Sequence, residues 1–308
     1  MKQMLVAAFL ILLAPWAAWG AEWDEITTEN FAFLYPPGQR AAAQRLADQA
    51  EELRKKTLQM IGVDFKERTR VYLAPDRETY ESIQPRSIVP EWSVGVAFPD
   101  SNLIIVYTPQ AARELGHDYN MVQVFHHEFC HVALGMAIRD VKVPRWLEEG
   151  FAQYQAGEWT AGNSFRMTIA YLTGSLIPLN DLMHSWPKGE GRARLAYMES
   201  FGFVAFLHRT GRLPRIIRLM SQGVPAETAV YRATGYSTSV LEKRWSRYMQ
   251  RRHTWLALIM RPDFIWSSMA VLFLVVYLIV RRRMKKKYRL MELEEEYERI
   301  GSDDRTFH

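Results

Sequence analysis

At 308 residues the chain can bury a sizeable core, and its net charge of +5 marks no nucleic-acid surface, because +2 of it sits in residues 281–308. A single cysteine, Cys130, excludes an intrachain disulfide, so stability must come from packing.

In chain order, residues 1–20 read as a signal peptide. Lys2 gives a positive start, Met4 to Trp19 is apolar, and Ala18 and Gly20 place small residues for cleavage before Ala21. The alternative is an uncleaved N-terminal anchor. Phe31-Ala-Phe-Leu-Tyr35 alternates as a strand does, and Pro36-Pro37-Gly38 turns the chain. Ala43, Leu46, Ala50, Leu53 and Leu58 then repeat at helical spacing over 40–60, up to Gly62. Val71–Ala74 predicts a second strand, and Asp76 caps a short helix ending at Ile83. Residues 94–98 and 103–107 predict a hairpin around Pro99-Asp-Ser-Asn102. Residues 21–110 are thus expected to form a strand-rich lobe with a mixed sheet packed by helices.

Residues 111–252 predict a helical lobe. Asp118 or Asn120 caps a helix running to about Ile138, and Pro144 fits the first turn of the next. Further helices are expected over about 192–209, 212–221, 225–233 and 237–252, punctuated by Gly211, Gly223 and Gly235. After a linker at 253–263, residues 264–280 carry no charge and run into the basic cluster 281–289. That pattern predicts one C-terminal transmembrane helix, with the basic and acidic tail 281–308 in the cytoplasm and the main domain outside it. In a bacterium this places the chain in the inner membrane, facing the periplasm. Tail residues from Met291 onward are expected as a short helix or as disordered chain.

The chemistry is concentrated in Phe125-His-His-Glu-Phe-Cys-His131. His127, Glu128 and His131 form an H-E-x-x-H pattern. Residues four apart share a helix face, so both imidazoles reach one ion, and Glu128 beside the first of them can take a proton from a water on that ion. Catalytic zinc takes three protein ligands and keeps one position open. The third falls to Glu148 or Glu149, the latter separated from His131 by seventeen residues, and spacing does not choose between them. His126, Cys130, Tyr154, His184 and His208 are weaker candidates that packing or a structural role explains better.

The segment Trp146-Leu-Glu-Glu-Gly-Phe-Ala resembles the W-L-x-E-G-x-A signature of the gluzincin metallopeptidases. Nearly the whole exported part is similar to the bacterial peptidase-MA-like family. The matching pieces are Trp23, Ile26 and Phe31; Val71-Tyr-Leu-Ala-Pro-Asp76; Gly95-Val-Ala-Phe98; both zinc segments; Ala196, Tyr197 and Ser200; and Ala233-Thr-Gly235 with Leu241 and Trp245. The resemblance implies an α+β gluzincin fold with a mixed-sheet lobe over a helical zinc lobe. It also implies one Zn²⁺ and Glu149 as third ligand. Tyr197-Met-Glu-Ser200 resembles the Tyr-Glu-Lys-Gly helix of aminopeptidase-N-type enzymes, which implies Tyr197 as the donor to the developing oxyanion; the Lys and Gly are absent here.

The expected function is a membrane-anchored zinc endopeptidase acting on peptide or protein substrates, with no nucleic-acid partner. The alternatives are an aminopeptidase, for which no G-x-M-E-N-type amine anchor is present, and a zinc-stabilised scaffold, against which the intact Glu128 argues. Leu103–Tyr107 is expected either as a strand edge that pairs with substrate or as core, and Trp92 and Trp159 as subsite linings or buried rings.

Overall fold

The structure, a computed structural model, describes residues 23–85, 93–117, 119–184, 186–259 and 262–303. The leader at 1–20, Trp92 and Asp118 lie outside the described residues, as do the side chains of His184 and of the linker at 253–263.

One compact unit comprises the described residues up to Met167 together with Leu176–Trp245. Its sheet contains β1 (Asp24–Thr27), β2 (Phe31–Tyr35), β3 (Thr69–Ala74), β4 (Gly95–Phe98) and β5 (Leu103–Tyr107), in the order β1-β2-β3-β5-β4. The outer pairs are antiparallel and the inner pairs parallel, so the sheet is mixed as expected. A parallel pair needs a long crossover, and helix α1 (Arg40–Ile61) supplies it between β2 and β3. Its buried Ala43, Leu46, Ala47, Ala50, Leu58 and Ile61 follow the helical repeat, and it stops at Gly62, whose φ of 74° suits the left-handed cap. Helix α2 (Arg77–Ile83) is capped by Asp76, which accepts a 2.7 Å hydrogen bond from the Thr79 N–H.

Strand β5 departs from one expectation. Every residue of Leu103–Tyr107 is buried, and the strand is paired on both sides, with Val71 opposite Ile104 and Val96 opposite Ile105. A five-residue apolar run lies in the sheet interior because both its faces are covered. It is not an edge; among the described residues the edges are β1 and β4, and β4 has β5 as its one neighbour.

Helix α3 (Pro109–Glu114), capped by Thr108, precedes the H-E-x-x-H helix α4 (Met121–Ala137). Asn120 caps α4 by accepting from Val122 N and Gln123 N. Phe125 and Phe129, one turn apart, pack on Phe31 with ring centroids at 5.6 and 5.2 Å. Each such ring contributes about 1.5–3 kcal/mol when buried. His127 and His131 lie on another face of α4, so the apolar face that seats the helix on the sheet also aims the imidazoles away from it.

Helix α5 (Arg145–Ala156) begins one residue after Pro144, which caps it instead of lying in its first turn. Then follow α6 (Ala161–Leu172), α7 (Asp181–His184), α8 (Glu190–Arg209), α9 (Leu213–Ser221), α10 (Ala226–Thr234) and α11 (Thr238–Ile259). Helices α3, α6 and α7 lie outside the sequence expectations. Trp146 of α5 and Trp245 of α11 close on Phe203 of α8 at 5.0 and 5.8 Å. At Gly150 a Cβ would lie 2.3 Å from the Ser200 carbonyl oxygen, so α5 passes α8 too closely there to carry a side chain at position 150.

A second unit comprises Thr168–Ser175 and the chain from Ser246. It contains α12 (Pro262–Asp303), a single helix where a span and a separate tail were expected. The apolar side chains from Trp266 to Val280 are exposed, Phe273 at 72%. Among the described residues, however, no helix is long and apolar enough to cross a membrane. The span expected at 264–280 is thus not found among the described residues.

Candidate metal centre

One turn of α4 and the start of α5 bring His127, His131 and Glu149 together, with one donor atom of each within 4.8 Å of the others. The Nε2 atoms of His127 and His131 are 3.1 Å apart, and Glu149 Oε2 lies 3.8 and 3.7 Å from them. Tetrahedral zinc with bonds near 2.0–2.1 Å holds its donors about 3.3–3.4 Å apart. Two imidazoles and a carboxylate with that spacing fit such an ion.

The far nitrogen of each ring faces a carboxylate. His127 Nδ1 is 2.7 Å from Glu158 Oε1, and His131 Nδ1 is 3.6 Å from Glu148 Oε1. A carboxylate on Nδ1 holds the proton there and leaves the Nε2 lone pair directed to the common point. The two glutamates that spacing left open thus occupy different positions. Glu149 is buried and turns Oε2 to the imidazoles, while its Oε1 accepts a 2.9 Å hydrogen bond from Arg145. Glu148 is more exposed and faces the outer side of His131.

The charges are tightly balanced. Burial raises the pKa of Glu128; His127 and His131 oppose the rise, and Glu149 and Glu158 add to it. For His131 burial acts downward, but Glu148 and the charges of Glu149 and Glu128 win and push it up to about 9. His127 is likewise raised, against burial, by Glu158. Burial would raise Glu148, yet its contact with His131 and the charge of Arg145 hold it below the usual carboxylate range. Glu128 is flanked by edge strand β4: a Cβ on Gly95 would lie 3.1 Å from Glu128 Oε1 and 2.6 Å from Val124 Cγ1. The missing side chain is what lets the strand run beside Glu128.

Tyr197, on α8, is half-buried and meets the Trp186 ring edge-on at 4.8 Å, while Trp186 carries the Arg145 guanidinium on its face at 5.1 Å. Burial, then the charge of Glu149, raises its pKa. The other candidates are engaged elsewhere. Tyr154 Oη and His208 Nδ1 are 2.7 Å apart, and Trp159 stacks on Phe201 and donates to Ser164. His126 is buried, with Nε2 3.0 Å from Thr57 Oγ1, and burial lowers its pKa to about 4. Cys130 is fully buried beside the same Thr57, and burial pushes its thiol up.

Sequence reasoning missed Glu158, Arg145 and Trp186. Arg145 was legible as an i,i+4 partner of Glu149. Glu158 follows Gly157, where α5 ends in a left-handed turn (φ 70°), and no local pattern tied it to His127.

A model of the family described as the Peptidase MA superfamily matches residues 50–251. No match was found among curated proteins. Among solved structures, the chain is similar to a mutant of the M1 zinc metallopeptidase from Deinococcus radiodurans, at 13% identity and a TM-score of 0.41. That match covers 74% of this chain and 50% of the other, so the chain spans about half the length of that enzyme.

Proposed function

The chain belongs to the Peptidase MA superfamily, and from that premise we propose that it is a zinc-dependent endopeptidase with His127, His131 and Glu149 as the ligands of one ion. The observation that carries the proposal is the triangle of Nε2, Nε2 and Oε2, with Glu158 and Glu148 behind the rings and half-buried Glu128 beside them. Zinc bound there supplies a Lewis acid that brings a water's pKa to about 7. Glu128 would accept a proton from the water attacking the scissile carbonyl and would hand it to the leaving amine. Its place on α4 next to His127 and one turn from His131 suits it to both steps. Tyr197, fixed against Trp186, is proposed as the hydroxyl donor to the oxyanion.

The endopeptidase reading draws on β4. An extended peptide added along β4, which has no second strand beside it among the described residues, would bring a carbonyl beside Glu128, without requiring a free terminus. Location outside the cytoplasm and membrane anchoring through 264–280 belong to the same proposal. They are supported by the leader-like segment 1–20, the exposed apolar side chains from Trp266 to Val280, and the basic cluster behind them.

Peptide-library cleavage by zinc-loaded protein, with Glu128→Gln as the blank, tests the function. Internal cuts by wild type, and a Glu128→Gln protein that binds zinc yet cleaves nothing, are expected. Cuts only next to free N-termini would make it an aminopeptidase. Wild type that binds zinc without cleaving any peptide would favour the scaffold.

A further inference from the structure

We infer that Arg145 is a positioning residue for the metal ligand Glu149, restricting it to one coordinating oxygen; this rests on the metal site proposed above. A carboxylate offers two oxygens, and here they have separate partners. Oε2 faces the imidazoles at 3.7 and 3.8 Å, while Oε1 accepts the Arg145 Nη2–H at 2.9 Å. Arg145 opens α5 four residues before Glu149, so both side chains lie on one face of the helix.

The guanidinium is itself held. Trp186 covers it at 5.1 Å, and the edge of that indole abuts Tyr197 at 4.8 Å. Zinc ligand, arginine, tryptophan and tyrosine therefore form one continuous series of contacts. The Arg145 side chain is 46% exposed, which makes the pair too solvated to matter much for folding. Its consequence falls on the carboxylate. With Oε1 occupied, Glu149 cannot swing both oxygens onto the ion, and the remaining position stays open to water. A lysine would keep the charge but not the planar fork, nor the stacking on Trp186.

The test is zinc affinity by chelator competition, plus the visible absorption of the Co²⁺-loaded full chain. Neither depends on finding a substrate. Arg145→Met is expected to weaken zinc binding roughly 10–100-fold and to lower the Co²⁺ absorption as the coordination number rises. Arg145→Lys should fall between it and wild type. Unchanged affinity and spectrum in Arg145→Met would overturn the inference. Should that variant not fold, Arg145→Lys decides in the same way: weaker binding supports the inference and wild-type behaviour refutes it. Wild type that takes up no metal would refute the metal site itself, and this inference with it.

Discussion

Replacing Gly150 with alanine probes how the third ligand is held in place. The added Cβ would stand 2.3 Å from the Ser200 carbonyl oxygen, 2.6 Å from its carbon and 2.7 Å from Val204 Cγ2. Ordinary contacts lie near 3.5 Å, so α5 and α8 would have to part by roughly 1 Å. A backbone carbonyl inside a helix cannot turn away, which puts the overpacking cost at the upper end of about 1–3 kcal/mol. Better helix propensity returns about 1 kcal/mol. The net loss is then about 2 kcal/mol, or about 4–8 °C in Tm for a domain of this size. Thermal unfolding of metal-free protein is the assay, and Gly191→Ala is the control. Gly191 is also in α8 but has nothing within 4 Å of its Cβ position, so its variant should melt with wild type or slightly above. Because Gly150 adjoins Glu149, the Gly150 variant should also bind zinc more weakly. Gly150→Ala melting at or above wild type would refute the packing argument.

Two further predictions concern carboxylates. Glu158→Gln should lower zinc affinity by roughly 10–100-fold, since a neutral amide holds the His127 Nδ1 proton less firmly; equal affinity would remove Glu158 from the site. Glu199, fully buried on α8, has both oxygens within 2.9 and 3.1 Å of the Ile177 N–H. Burial, partly offset by that hydrogen bond and reinforced by Glu242, raises its pKa from 4.5 to about 8. The folded state therefore holds a proton that the unfolded state has lost. This stability is complete below pH about 4.5 and is lost as the pH rises towards about 8, at up to about 1.4 kcal/mol per unit. Glu199→Gln should flatten that slope in denaturant titrations, and superimposable profiles would contradict it.

What was legible in the sequence was what short-range physics determines. The repeat of Ala43, Leu46 and Ala50 and the stop at Gly62 specify α1, Asp76 starts α2, and the hairpin residues turn at Asn102 as read. The i,i+4 spacing alone puts His127 and His131 on one face of α4, because a helix repeats every 3.6 residues wherever it sits. What depended on chain segments far apart was not legible. Leu103–Tyr107 is equally apolar as an edge or a centre, and the pairing with β3 and β4 on either side makes it the centre. Glu148 and Glu149 differ by one helical step. Which of them meets the imidazoles follows from how α5 packs on α4 and, through Gly150, on α8. Glu158 reaches His127 across 31 positions. Its role exists only once α5 has folded back along α4, since a carboxylate acquires a partner through tertiary packing and not through its neighbours in the chain.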